Sequence, residues 1–421
     1  MNSRIHIVGA GLSGLSAAVR LTAAGFNVSL YEASRFAGGR CRSFFDGTLQ
    51  ATIDNGAHLM LSGNTDIADY MELIGSSNEA YTMDRAAFNF LDVKSDQSWS
   101  VDLGAGRGRL SLLPWLFDAK RRPPNVTPMK LVQEMWALKN GHGKTVHSCL
   151  DPQQKHFKSF WEPLCVGVMN AYPGEASAEL LWNVLKETVM LGGAATKPML
   201  TRNGLGLALI DPALERLKHL NAKINFNARV QNVEHKKGRI AGLNLAHGVE
   251  VLGLKDSVIL AVPHYAIDDL GLGIPSPKGS HAILNVHYLL ERPVKTELKG
   301  LINSPVQWVF CRDNVASVTI SAADNWVNKN GVEIAQLLWP DVSKALGIKG
   351  DELPKFRVIK EKRATFSQTP DNLVHRAKIK TKFENLFMAG DWTDTKLPAT
   401  IEGSIRSGRK TAETVIENLN L

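Results

Sequence analysis

Hydrophobic and polar positions alternate along this chain with two periods, and the first thirty-odd residues show both. Residues 5–8 form an apolar run of strand length. Between Ser13 and Ala24 apolar side chains recur at Leu15, Ala18, Val19 and Leu21, the 3.6-residue spacing of a helix face, and Gly25 is a natural stop. Residues 28–31 predict a second strand that ends at Glu32. Between strand and helix, Gly9, Gly11 and Gly14 fit G-x-G-x-x-G. Gly9 permits the tight turn, Gly11 lets a pyrophosphate approach the backbone, and Gly14 lets the helix pack closely on the sheet. The intervening Ala10, Leu12 and Ser13 supply amides at a helix N-terminus that favour phosphate. Glu32, followed by Ala33, lies where a carboxylate accepts hydrogen bonds from a ribose.

Further along, Gly38 and Gly39 open a loop into Arg40 and Arg42, two guanidinium groups suited to a diphosphate. Asp54, Asn55 and Gly56 are turn formers, and the small Ala57 precedes His58, so this loop can pass close to a flat ring system. Residues 64–74 read as helix. Residues 104–143 mix the apolar Leu110, Leu112, Leu113, Trp115, Leu116 and Phe117 with flanking Arg107, Arg109, Lys120, Arg121 and Arg122. Helical patterns at 129–139 and 151–191 make residues 85–198 a mostly helical insertion, a lid or a substrate cavity. From Gly204 alternation returns. A helix at 211–219 opens with Pro212, and strands are predicted at 223–226, 229–235, 241–245, 257–263, 282–290, 306–311, 316–322 and 357–364, with a helix at 332–346. Near the C-terminus an apolar strand at 386–389 meets Gly390 and Asp391. A helix then starts near Thr400 with Gly403, Ser404, Ser407 and Gly408 on its first turns.

At 421 residues, two domains are the default, and 44% hydrophobic with 21% charged residues is a globular composition. No run of about 18 apolar residues predicts a membrane-spanning helix, and no signal peptide is read. The net charge of +8 suits an anionic cofactor or membrane surface. Nucleic acid is not expected, because no basic run is interleaved with aromatics. Cys41, Cys149, Cys165 and Cys311 form no C-x-x-C pair and no metal spacing, so no metal is expected and the thiols read as reduced, in a cytoplasmic protein. Cys41 beside the glycine loop makes covalent cofactor attachment conceivable, a bystander thiol being the simpler reading.

Three motifs in order, residues 9–14 with Glu32, the G-G-R loop at 38–42, and Gly390–Asp391 followed by a helix, resemble the flavin-containing amine oxidase and phytoene desaturase superfamily. Within it, D-N-G-A-H-L at 54–59, F-W-E-P-L-C at 160–165 with Asn170 after it, and L-P-A-T-I-E-G-S at 397–404 resemble the hydroxysqualene dehydroxylase family, whose members mostly carry Gln where this chain has Ala57. The resemblance implies an α/β fold: a doubly wound, Rossmann-like FAD-binding domain (residues 1–84, 204–270 and 380–421) with an inserted α+β substrate domain (85–203 and 271–379), the two-domain architecture of amine oxidases. It also implies FAD as cofactor, hydroxysqualene, a long-chain isoprenoid, as substrate, and a place in a bacterial hopanoid or carotenoid route. By the same resemblance Glu32 is the ribose ligand, and Arg40 lies near the diphosphate with Gly39 and Arg42 close by. Asn55, Gly56, Ala57 and His58 follow the isoalloxazine, and Val230 touches adenine through its backbone. Asp391, after Gly390, holds the ribityl chain, and the Ile401 amide, after Thr400, faces the pyrimidine end of the flavin.

An allylic alcohol loses its hydroxyl only if an acid protonates it, and the resulting cation can then take hydride from reduced flavin. His58 is the first candidate acid, with a purely structural role as its alternative; Glu162 and Tyr172 are weaker ones. Three other activities remain open at this point: a carotenoid desaturase, an amine oxidase, and a prenyl-binding protein of the same fold without flavin chemistry. With one dinucleotide fingerprint only, electrons are expected from a free reductant or an external donor. A water-insoluble substrate places the protein at the inner face of the cytoplasmic membrane, with the apolar residues between 110 and 117 inserted and the flanking cations at the headgroups.

Overall fold

A computed structural model describes residues 3–295 and 298–420. Five short parallel strands form its first sheet, in the order Lys223–Asn225, Asn27–Tyr31, Arg4–Val8, Ser257–Leu260, Leu386–Met388. The four strands other than the edge strand Lys223–Asn225 are buried on both faces, so their apolar residues do not alternate with exposed polar ones. Ile5, Ile7, Leu30, Ile259 and Phe387 enter one core, under the helices Leu12–Ala23 and Ile401–Asn420. Val8, Tyr31, Val258, Leu260 and Met388 enter another, under an antiparallel sheet of Val230–Lys236, Arg239–Leu245 and Gly248–Val251.

The two helices over the first core approach to backbone distance. A Cβ on Gly408 would stand 2.2 Å from the Ser13 carbonyl oxygen. The hydroxyls of Ser13 and Ser16 donate to the carbonyls of Ser404 and Ile405 at 2.9 and 2.8 Å. The N-terminal motif and the C-terminal helix, some 390 residues apart in sequence, thus form one layer.

The second sheet has seven strands, ordered Phe356–Phe366, Ser280–Leu289, Val315–Ile320, Trp308–Arg312, Leu298–Ile302, Ala87–Asp92, Ser98–Asp102. The helix Gly331–Leu346 covers one face. A helical cap built from residues 109–187 packs on the other through Phe90, Val101 and Ile302.

Two expectations change. The insertion at 85–198 is not mostly helical at its start, because Ala87–Asp92 and Ser98–Asp102 form a hairpin on the edge of the seven-stranded sheet. Phe88 and Phe90 face the cap while Leu91 joins the opposite core, the two-residue period of a strand inside a stretch read by its average. The helical pattern at 151–191 is four pieces, Phe157–Trp161 running on into Glu162–Met169, then Ala178–Glu187 and the short turn Val189–Leu191. The break is at Asn170, in the left-handed region at φ 49°. Its amide nitrogen donates to Thr365 Oγ1 at 3.0 Å and its Oδ1 accepts from the Ala322 N–H at 2.7 Å, so the second sheet fixes the bend. Among the described residues no helix is long and apolar enough to cross a membrane.

Candidate functional site

The turn after the first strand is possible only because residue 9 is glycine. Its φ is +106°, and a Cβ there would sit 2.4 Å from the Ala261 carbonyl oxygen, just past the end of the neighbouring strand. Gly14 is equally constrained, with a hypothetical Cβ 1.9 Å from the Gly9 oxygen. Gly11 differs: nothing lies within 4 Å of where its Cβ would be. That open space faces a cavity of about 930 Å³, and Gly9, Gly11, Leu12 and Ser13 line its edge. Ala10 and Gly14 shape the loop from behind. The Ala10 N–H donates to Glu32 Oε2 and the Ser34 N–H to Oε1, both at 2.8 Å, which holds the Glu32 carboxylate at the cavity rim beside Ala33.

The G-G-R loop closes over this edge. The Gly38 N–H donates to the Ala10 carbonyl at 2.8 Å, and Gly39 approaches Gly11. Arg40 points into the cavity and pairs with the buried Asp391 at 2.8 Å, while its other nitrogen donates to the Ala364 carbonyl. Burial opposes the Arg40 charge, and the Asp391 carboxylate overrides it, raising the pKa. Arg42 does not join them. Its carbonyl accepts the Asn55 N–H at 2.8 Å, and its guanidinium lies 5.7 Å from the centre of the Phe44 ring, two residues on. Cys41 borders the cavity, but burial pushes its thiol up to about 12, so the nucleophilic thiolate is scarce.

Asn55, Gly56, Ala57 and His58 line the cavity's middle, and Val230, Gly390, Asp391, Thr400 and Ile401 line the same space from three other segments. Gly390 donates its N–H to Ser407 Oγ at 2.9 Å, and the helix Ile401–Asn420 presents its N-terminus here. A flavin dinucleotide fits this lining: an open cradle over Gly11, an oriented carboxylate at Glu32, a fixed cation at Arg40, and a second helix N-terminus at the far end.

Beyond His58 the lining changes character. Phe88, Phe90, Trp115, Phe160, Trp161 and Trp308 make it aromatic and apolar. At the junction stands Asn285, a residue the sequence pattern hides inside the strand Ser280–Leu289. Its Oδ1 accepts the Thr319 hydroxyl at 2.8 Å and the Ala57 N–H at 3.4 Å. That fixes the carboxamide and leaves its Nδ2 donor for the cavity. A Cβ on Gly56 would be 3.1 Å from Asn285 Nδ2 and 3.4 Å from His58 Nε2, so both polar groups border the same small glycine. Burial lowers the His58 pKa, with Asp54 opposing the effect and Arg40 adding to it, which favours the neutral imidazole and leaves the protonated form in the minority at neutral pH. Glu162 and Tyr172 are not in the lining, and Tyr172 is half exposed on the surface. Among the described residues no cluster of His, Cys, Asp or Glu is placed to hold a metal.

The cap is tied down by charge. Glu187, at the end of the helix Ala178–Glu187, lines the cavity and receives Arg406 at 2.9 and 2.7 Å. Arg406 also reaches Asp66 at 2.7 Å and Glu402 at 3.2 Å. Deeper in the cap, Glu134 is buried between His156 Nε2 at 2.9 Å and Trp161 Nε1 at 2.8 Å.

The profile of the family described as flavin containing amine oxidoreductase matches residues 12–416. Hydroxysqualene dehydroxylase of Sinorhizobium fredii is 38% identical over 424 residues, covering all of both chains. Hydroxysqualene dehydroxylase of Rhodopseudomonas palustris is 37% identical over 99% of each. Among solved structures, cyclohexylamine oxidase from Brevibacterium oxydans superposes with a TM-score of 0.73 over the full length of both chains at 16% identity.

Proposed function

This chain belongs to the flavin-containing amine oxidoreductase family and is a FAD-dependent oxidoreductase, and we propose that it removes the hydroxyl group of hydroxysqualene to give squalene. The observation that carries this reading is the cavity itself. One continuous space runs from the glycine loop to an aromatic chamber, with two polar side chains at the junction. A cavity for a small amine needs no such chamber, and a hydrocarbon carrying a single hydroxyl matches it in both parts. The names of the full-length relatives agree with it.

In this reading Gly11, Ser13, Glu32 and Arg40 hold the nucleotide half of FAD. Asp391, Ile401 and the 55–58 loop hold the flavin half. The FAD-binding domain comprises residues 1–84, 204–270 and 380–421, and the substrate domain the rest. When bound, reduced FAD would supply a hydride equivalent for the carbon that has lost its oxygen. The chain's own work is at that oxygen. Asn285 Nδ2 donates a hydrogen bond to the substrate hydroxyl and holds it beside His58. His58 Nε2 delivers the proton with which the hydroxyl leaves as water. A depressed pKa makes the protonated imidazole a stronger acid, although less of it is present. The aromatic wall excludes water, which would otherwise trap the allylic cation. The overall balance is one alcohol, one proton and one hydride giving one hydrocarbon and one water. An external donor reduces the flavin, the product enters a hopanoid or carotenoid route, and the protein works at the inner face of the cytoplasmic membrane.

The test is anaerobic turnover of hydroxysqualene with flavin reduced by a deuteride donor. Squalene with one deuterium at the former carbinol carbon is expected. Unlabelled squalene, with solvent exchange controlled, overturns hydride transfer. Desaturation of phytoene by the oxidised enzyme with an added electron acceptor, with no turnover of hydroxysqualene by the reduced enzyme, replaces the reaction with a desaturation.

A further inference from the structure

We infer that the roof of the aromatic chamber is a docking surface for an anionic phospholipid bilayer. The roof is made of three elements, and each has an inward and an outward apolar face. In the helical run Arg109–Leu112 and Leu113–Phe117, Trp115 points inward, lines the cavity and is 2% exposed. Leu110, Leu113 and Phe117 point outward, at 79%, 45% and 70%. This corrects the expectation that the whole apolar run inserts: Pro114 starts a short helix whose period turns Trp115 away from solvent.

The helix Pro128–Lys139 beside it repeats the arrangement. Leu131, Glu134 and Leu138 are buried and Met135 lines the cavity, while Met129, Val132 and Trp136 stand exposed. Spacings of three and four residues put those three on one stripe. The buried Glu134, held by His156 and Trp161, pins the helix's rotation, so the outward stripe is not an alternative packing face. In the third element, the turn Val189–Leu191, Val189 lines the cavity and Leu191 is exposed. The Leu191 carbonyl accepts the Gly108 N–H at 2.8 Å, which joins the turn to the first element. Seven exposed large apolar side chains thus cluster over one chamber, where monomers ordinarily scatter them singly.

Charge decides what covers this patch. Residues 104–144 carry eight Lys or Arg and two acids, a net +6 of the chain's +8 in a tenth of its length. One of the two acids is the buried Glu134. Arg107, Arg109, Lys120 and Lys139 are exposed around the apolar side chains. An apolar centre ringed by cations matches the acyl boundary and headgroups of an anionic membrane. A second copy of this chain would bring like charges together. The roof then opens toward the phase in which a water-insoluble substrate resides. That purpose rests on the isoprenoid reading above; the docking itself does not.

The test separates the two. Full-length holoprotein is sedimented at low salt with phosphatidylcholine vesicles, with and without phosphatidylglycerol. Wild type is expected to pellet with the anionic vesicles and to be released by salt. The double variant Phe117→Ser/Trp136→Ser, which alters exposed side chains that do not line the cavity, should lose roughly tenfold or more in partitioning. It should keep its flavin and its melting temperature. Arg109→Glu/Lys120→Glu should lose the preference for anionic lipid. Failure of wild type to pellet, or equal pelleting of wild type and both variants, overturns the docking surface. So does a switch from dimer to monomer in Phe117→Ser/Trp136→Ser, which would make the patch a self-interface. Turnover is read in parallel: the apolar variant should slow on vesicle-borne hydroxysqualene and match wild type on detergent-solubilised substrate. If wild type turns over neither form but still pellets, the substrate reading fails and the surface stands.

Discussion

Replacing Gly11 by valine separates folding from cofactor binding more cleanly than any other change in the loop. Gly11 has φ −73° and ψ 177°, extended backbone that any residue adopts. No atom lies within 4 Å of its missing Cβ. The apoprotein should therefore fold with its stability changed by no more than about 0.5 kcal/mol. The same argument forbids the substitution at Gly14, where the Cβ would stand 1.9 Å from a carbonyl oxygen. In Gly11→Val the two methyl groups fill the space in which the pyrophosphate must sit, and moving the phosphates outward forfeits the helix amides. A loss of about 3 kcal/mol, more than a hundredfold in affinity, is the modest expectation. The assay is flavin content by visible absorbance on purification, then thermal melting with and without added FAD. Ligand at a hundred times its Kd stabilises wild type by about 2.7 kcal/mol, and the variant should gain almost none of this. Full flavin occupancy in Gly11→Val would refute the placement of the pyrophosphate. An unfolded variant would refute the claim that the space over Gly11 is open.

Three further outcomes follow, two from the site and one from a buried histidine in the second sheet. Because the His58 pKa is depressed below its ordinary 6.5, kcat should fall steadily as pH rises through and above neutrality, and His58→Gln should remove that slope while leaving the flavin bound; a pH–rate profile unchanged in the variant excludes His58 as the proton source. Thr319→Val frees the Asn285 carboxamide to rotate and should lower kcat about tenfold, with Thr319→Ser restoring it and Asn285→Ala losing more, at unchanged FAD affinity. His287 is buried against Ser317, and burial lowers its pKa to about 4, so the unfolded chain takes up a proton near pH 6.5 that the folded one refuses until about pH 4. Stability should thus be lost as pH falls across that window, by up to about 3 kcal/mol from this one group, and denaturant melts of wild type and His287→Gln at pH 7 and 4.5 should differ by that slope.

What was legible in the sequence is what the chain holds in one contiguous stretch. The strand, turn and helix at residues 4–23 and the acid at Glu32 are each dictated by neighbours a few residues away, and they fall within a residue of where the pattern puts them. The Asp211–His219 helix has the expected bounds for the same reason. The Arg40–Asp391 pair spans most of the chain, so only the common cavity reveals that these two candidates touch. Asn285 and Thr319 looked like ordinary strand residues, because nothing local marks a polar side chain whose partner is the next strand of a sheet. Arg42 was misplaced because spacing from Arg40 says nothing about a chain that turns between them. Trp115 was misplaced because an apolar run ringed by cations looks the same whether its largest member faces out or in.

The cofactor half and the aromatic half are parts of one continuous cavity and have lining in common, since the 55–58 loop and Asn285 serve both. Neither occupant has a complete container without the other. FAD and the proposed substrate are then linked in the thermodynamic sense: whatever factor the bound flavin adds to the affinity for substrate, the bound substrate must return to the flavin. On the proposed function, protein stripped of flavin would bind its substrate more weakly by the same factor by which substrate-free protein binds its flavin more weakly.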